Sequence, residues 1–135
     1  MRPPMPVLTL SVSIERPPAE VYAFTALPAN FRHWASGLGA GLEQAGDGTW
    51  TAQTPDGPVT IRFAAANALG VLDHTVVLAS GNVVQVPMRV IANGDAHSEL
   101  LLTLFRQPGM SAEKFEADAA WVRRDLRALK ALLEA

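Results

Sequence analysis

His74 is the side chain of this sequence best suited to acid–base chemistry. It stands in the run 71–79, where Leu72, His74, Val76 and Leu78 alternate with Asp73, Thr75 and Val77. Successive strand side chains point to opposite faces, so the more apolar set, with His74 in it, is expected to face a buried interior. Burial there keeps an imidazole neutral, ready to take a proton or to hydrogen-bond a guest. Asp73 is adjacent and invites a dyad, but the same alternation sends the two side chains to opposite faces. The plainer reading of His74 is a buried histidine satisfied by a backbone or side-chain partner. Arg106, expected on the inner face near the end of the run 97–107, is the second catalytic candidate. Asp118 is a secondary pocket candidate, and for Arg106 and Asp118 alike the plainer alternative is a salt bridge at the rim.

Other chemistries lack their residues. His33, His74 and His97 are separated by 41 and 23 residues and sit on different elements, with no ligand spacing, so no metal site is expected. Cysteine is absent, which excludes a thiolate nucleophile and a disulfide framework and fits a reducing compartment. Gly37, Gly39 and Gly41 resemble the start of a dinucleotide loop, but Leu42 holds the place of a required glycine and no helix follows. A loop beside a pocket mouth is expected there instead. Ser36 and Ser80 adjoin glycines without forming a Gly-x-Ser-x-Gly elbow. No cofactor is expected.

Composition narrows the partners. With 135 residues, 49% of them hydrophobic and 18% charged, the chain suits one packed domain over residues 1–135 and is far from disorder. A net charge of −2 supplies no positive field to draw in nucleic acid or an anionic membrane. The N-terminus does not read as a secretory signal, and no apolar run approaches the ~18 residues of a membrane span. A cytoplasmic protein is expected, with monomer and homodimer both open.

These residues need elements to position them. The run 7–14 alternates Leu8, Leu10, Val12 and Ile14 against Thr9, Ser11 and Ser13, a strand with one buried face. Pro17 and Pro18 open a helix carrying Val21, Tyr22, Phe24, Thr25 and Leu27, which Pro28 stops. A second short helical piece, 30–35, has Asn30 as its expected cap and Phe31 and Trp34 on one face. Turn residues then separate strands at 41–45, 49–54, 59–66, 71–79, 83–92 and 97–107, whose short connections imply antiparallel pairing. The inward sets are Val59, Ile61 and Phe63; Val84, Val86, Met88 and Val90; and Leu100, Leu102 and Leu104. Ser111 caps a final helix to about Leu133, with Phe115, Ala119, Val122, Leu126, Leu129 and Leu133 in one stripe. Arg123, Arg124, Arg127 and Lys130 lie off that stripe among acidic residues and read as a solvated face. The predicted fold class is α+β: a curved antiparallel sheet of about seven strands wrapped around the long C-terminal helix, with two short helices after the first strand.

The stretch 13–37, SIERPPAEVYAFTALPANFRHWASG, resembles the opening of the START-like, or SRPBCC, helix-grip superfamily. Val21 and Phe24 match its Val-x-x-Phe core pair, Pro28 its proline break and Trp34 its second-helix tryptophan. The segment 109–134 is similar to the same group's C-terminal helix, and the likeness is strongest to the polyketide cyclase/dehydrase and lipid transport branch. The resemblance implies a pocket between sheet and helix, in a superfamily that includes lipid and hormone binders and aromatase/cyclases.

A sheet gripping a helix leaves a cavity between them. Trp34, Phe63, His74, Met88 and Val122 are the expected contacts for an apolar guest such as a lipid, polyketide or aromatic compound, with the loop 37–41 controlling access. The alternative is a cyclase or dehydratase in which the pocket folds a reactive chain and His74 or Arg106 moves a proton or steadies an enolate. A third reading is an interaction module whose interior is simply filled core. Trp121 lies well around the helix from Val122 and is expected under a loop or at a subunit contact.

Overall fold

The computed structural model describes residues 3–36, 41–46 and 48–135. Strand β1 (Val7–Ile14) leads into α1 (Pro18–Thr25) and a 3-10 helix (Pro28–His33). Seven strands follow: β2 (Glu43–Gly46), β3 (Thr49–Thr54), β4 (Gly57–Phe63), β5 (His74–Val77), β6 (Val83–Val86), β7 (Met88–Ala92) and β8 (Ser98–Phe105). Helix α2 (Ala112–Glu134) ends the chain. All strand pairs are antiparallel, in the orders β1-β8-β7 and β2-β3-β4-β5-β6.

The predicted architecture is present, with eight strands among the described residues where about seven are expected, and the difference lies at Pro87. The run 83–92 reads as one strand, but proline has no N–H to give to a ladder. Across from it, Asp73 inserts its side chain in place of backbone pairing: Oδ1 accepts the Met88 N–H at 2.8 Å. Pairing resumes beyond, where Leu72 N–H donates to Met88 O at 2.8 Å and Val90 N–H donates to Gly70 O at 2.9 Å. The Pro87 carbonyl accepts from Thr103 N–H at 2.9 Å. Residues 83–92 therefore belong to one sheet before Pro87 and to the other after it, and they are the joint between the two. The close approach requires glycine at position 70, where φ is +73° and a Cβ would stand 2.2 Å from the Val90 carbonyl oxygen.

A second departure concerns Asn30. It does not cap the second helical piece, which starts at Pro28 behind Leu27. Its Nδ2 donates to the Phe24 carbonyl at 2.9 Å and so closes the end of α1.

Strand faces follow the expected alternation on β4, β7 and β8, where Val59, Ile61, Met88, Val90, Leu100 and Leu102 are buried. Leu78 is an exception at 37% exposure, because β5 ends at Val77 and the hairpin tip extends past the core. Ser111 caps α2 by accepting the Lys114 N–H at 3.0 Å. The stripe of α2 buries Ala119, Leu126 and Leu129 in a core shared with Ile14, Val21, Met88 and Leu100. α2 packs along β1. There Lys130 Nζ donates to Ser13 O at 2.7 Å, and Glu15 N–H donates to Glu134 at 2.8 Å. A smaller core of Ala52, Val59 and Ile61 lies on β3 and β4, and Leu42 and Phe63 pack against both cores.

Candidate functional site

The 3-10 helix sets the site. Three residues per turn bring side chains at i and i+3 over one another. Phe31 and Trp34 accordingly lie with ring centroids 4.8 Å apart. Phe63 at the end of β4 meets Phe31 edge-on at 5.1 Å. His74 opens β5, pairs with Phe63 across the ladder, and sits 5.7 Å from Phe63 and 6.4 Å from Phe31, centroid to centroid. Trp34, Phe63 and His74, three members of the expected contact set, thus surround Phe31. The expected set lacks Phe31, although its spacing from Trp34 marks both for one face.

His74 is half-buried, and its Nδ1 lies 3.1 Å from the Leu72 carbonyl. A carbonyl only accepts, so Nδ1 carries the proton and the neutral ring presents Nε2 as a bare acceptor. Burial holds the imidazole pKa below its ordinary value of 6.5, against the opposing pull of the Leu72 carbonyl and of Asp73. Asp73 lies on the opposite face, as alternation requires. Its carboxylate holds Arg89 at 2.8 Å and 3.0 Å, and the bond from Arg89 keeps its pKa below 3.8.

Among the described residues, two buried polar atoms have no hydrogen-bond partner: Trp34 Nε1 and Thr25 Oγ1. Each orphaned group costs the fold about 1–3 kcal/mol, which a guest with the complementary atom could recover. Thr25, 1% exposed, lines a cavity of about 20 Å³ together with Tyr22, Phe31, Phe63, Leu72 and Met88. That is the room of one water molecule. Met88 of the expected set therefore meets the Phe31–Phe63 pair from the core side. Val122 packs from α2 against the same core but does not line this cavity.

A much larger space, about 570 Å³, opens between the β5–β6 hairpin and the approach to α2. Leu78, Val83 and Val84 form one wall, and Pro108, Met110 and Lys114 the other. This is the size of a small-molecule site, roughly 300–1,000 Å³. Lys114 reaches Asp118 at 3.0 Å and Asp56 at 3.5 Å, so Asp118 is engaged in a rim ion pair. Arg106 donates Nε to the Met110 carbonyl at 2.9 Å, which directs it to the β8–α2 connection and away from the His74 cluster. Gly37 and Gly39 of the expected access loop lie outside the described residues, as does Asp47 of the β2–β3 turn. Gly41 is described and sits against Arg32, where a Cβ would come within 2.9 Å of the arginine Cβ.

On the outer side of α2, Trp121 donates Nε1–H to Ser36 Oγ at 2.5 Å, and that hydroxyl donates to Asp125 at 2.5 Å. Trp121 thus ties α2 to the chain just after the 3-10 helix. Among the described residues no group of His, Asp and Glu could hold a metal ion, and no helix is long and apolar enough to cross a membrane.

No family model and no curated protein matches the chain. Solved structures do match its fold. Protein XoxI from Bacillus cereus superposes with a TM-score of 0.78 at 15% identity, over 96% of each chain. The Zhui aromatase/cyclase from Streptomyces sp. R1128 gives 0.72 at 16% identity, over 96% of this chain and 94% of the other. Ara h 8.0201 gives 0.67 at 13% identity, over 96% and 97%. An antiparallel sheet of this order around a long terminal helix defines the helix-grip class. The chain has the helix-grip fold that these structures share.

Proposed function

We propose that this protein binds an apolar small molecule, a lipid, polyketide or aromatic compound, between the concave face of its sheet and α2. The observation that carries the reading is the cluster of Phe31, Trp34, Phe63 and His74, where an apolar lining includes an indole N–H without a partner among the described residues. The groove of about 570 Å³ at the start of α2 is a separate space that shares no lining residue with this cluster. The cavity of about 20 Å³ is too small for such a guest, so binding requires Phe31 and Phe63 to part. A guest that binds only the folded state raises its melting temperature. Screening fatty acids, aromatic polyketides and naphthalene derivatives by thermal shift should therefore raise Tm for at least one class, and no shift at saturating concentration across the whole panel removes the reading.

The bare Nε2 of a neutral His74 favours a second reading, a cyclase or dehydratase in which this nitrogen takes a proton from a carbon next to a carbonyl. Replacing His74 with Gln separates the two. An enzyme loses turnover, whereas a carrier keeps binding with only a modest change.

A further inference from the structure

Most of the polar atoms near the aromatic cluster are spoken for. Asp73 is held by Arg89 and Met88, Tyr22 OH by Asn67 N–H at 2.9 Å, and His74 Nδ1 by Leu72. Besides the Thr25 hydroxyl, which lines the small cavity, two remain among the described residues, and they are complementary. Trp34, 6% exposed, keeps an indole N–H that nothing among the described residues accepts. His74 keeps Nε2, a lone pair to which nothing among the described residues donates. Both rings pack against Phe31, one at 4.8 Å and the other at 6.4 Å, so one guest replacing the Phe31 contacts can meet both.

We propose that the guest is an aromatic compound carrying both a carbonyl, which accepts from Trp34 Nε1–H, and a hydroxyl, which donates to His74 Nε2. The inference rests on the binding reading above and deepens it: a pure hydrocarbon chain leaves both atoms orphaned, whereas a hydroxylated aromatic ketone satisfies both and stacks on Phe31 and Phe63. An indole N–H never accepts, and the Nε2 of a neutral ring protonated at Nδ1 never donates, so the two positions are not interchangeable.

Four probes of matched shape test this on the intact protein: 2-acetylnaphthalene against 2-isopropylnaphthalene, and 2-naphthol against 2-methylnaphthalene. In the natural sequence the ketone should bind about tenfold tighter than its hydrocarbon isostere, and the naphthol about tenfold tighter than its own. Trp34→Phe should reduce the first ratio to within about twofold and leave the second; His74→Phe should do the reverse. Nitrogen-15 NMR gives a readout that needs no folded variant in complex: of the 3 tryptophan indole signals, the one missing in Trp34→Phe should move downfield with the ketone and not with the hydrocarbon. Equal binding of ketone and hydrocarbon to the natural protein, with that signal unmoved, overturns the inference and leaves the pocket standing. No binding of any of the four overturns both.

Discussion

His74 gives its Nδ1 proton to the carbonyl of Leu72, two residues earlier in the chain, at 3.1 Å. That bond selects the tautomer, and burial selects the neutral form. Together they turn a side chain able to carry charge into a fixed acceptor inside an aromatic cluster.

The first consequence is a pH dependence of stability. The folded-state pKa of His74 lies below its ordinary value of 6.5. Above pH 6.5 the ring is neutral folded or unfolded; below it the unfolded chain takes up a proton that the folded chain refuses. Stability therefore falls as pH drops, by at most about 1.4 kcal/mol per pH unit for a single group. Chemical denaturation at about pH 7.5 and about pH 5.5 should show a larger loss for the natural protein than for His74→Gln. Equal losses in the two proteins count against a buried, neutral His74.

Gly70 should tolerate no side chain. Its positive φ adds backbone strain to a clash, since a Cβ there would stand 2.2 Å from the Val90 carbonyl oxygen. Gly70→Ala should cost about 1–3 kcal/mol or more, read as a lower urea midpoint. A variant with an unchanged midpoint would mean that this loop stands farther from β7.

Asp73 should be needed as an acceptor more than as a charge. It satisfies the Met88 N–H at a residue only 1% exposed, where the ladder is broken by Pro87. Asp73→Ala orphans that N–H and should destabilise by about 1–3 kcal/mol, whereas Asp73→Asn retains an acceptor and should lose less. If both variants lose the same amount, the ion pair with Arg89, not the ladder insertion, is the contribution that matters.

Phe31 should be the side chain on which the site depends most. It touches Trp34, Phe63 and His74 and is 5% exposed. Phe31→Ala should cost about 3–5 kcal/mol, and Phe31→Leu less, because leucine refills part of the space. Thermal melts of the two variants, with and without 2-acetylnaphthalene, separate its packing role from any contact with the guest.

Local patterns were enough to read the element order, the buried faces of β4, β7 and β8, the capped terminal helix with its Leu126 and Leu129 stripe, and the opposition of Asp73 and His74. Each of these follows from periodicity within one segment: two residues per strand repeat, 3.6 per helical turn, and a proline or serine at an end. Tertiary structure decided the rest. Pro87 is visible in the sequence, but its effect required knowing that Asp73 stands opposite it and can take the Met88 N–H. Asn30 has the composition of a helix cap, yet the carbonyl within its reach is that of Phe24, at the end of the preceding helix. Arg106 alternates inward, but its guanidinium is long enough to turn back to Met110. Phe31 became the centre of the site only because β4 and β5 deliver Phe63 and His74 beside the 3-10 helix, from 32 and 43 residues further along the chain. Periodicity assigns a side chain to a face; which partners meet on that face depends on register and chain crossing, and those are set by long-range packing.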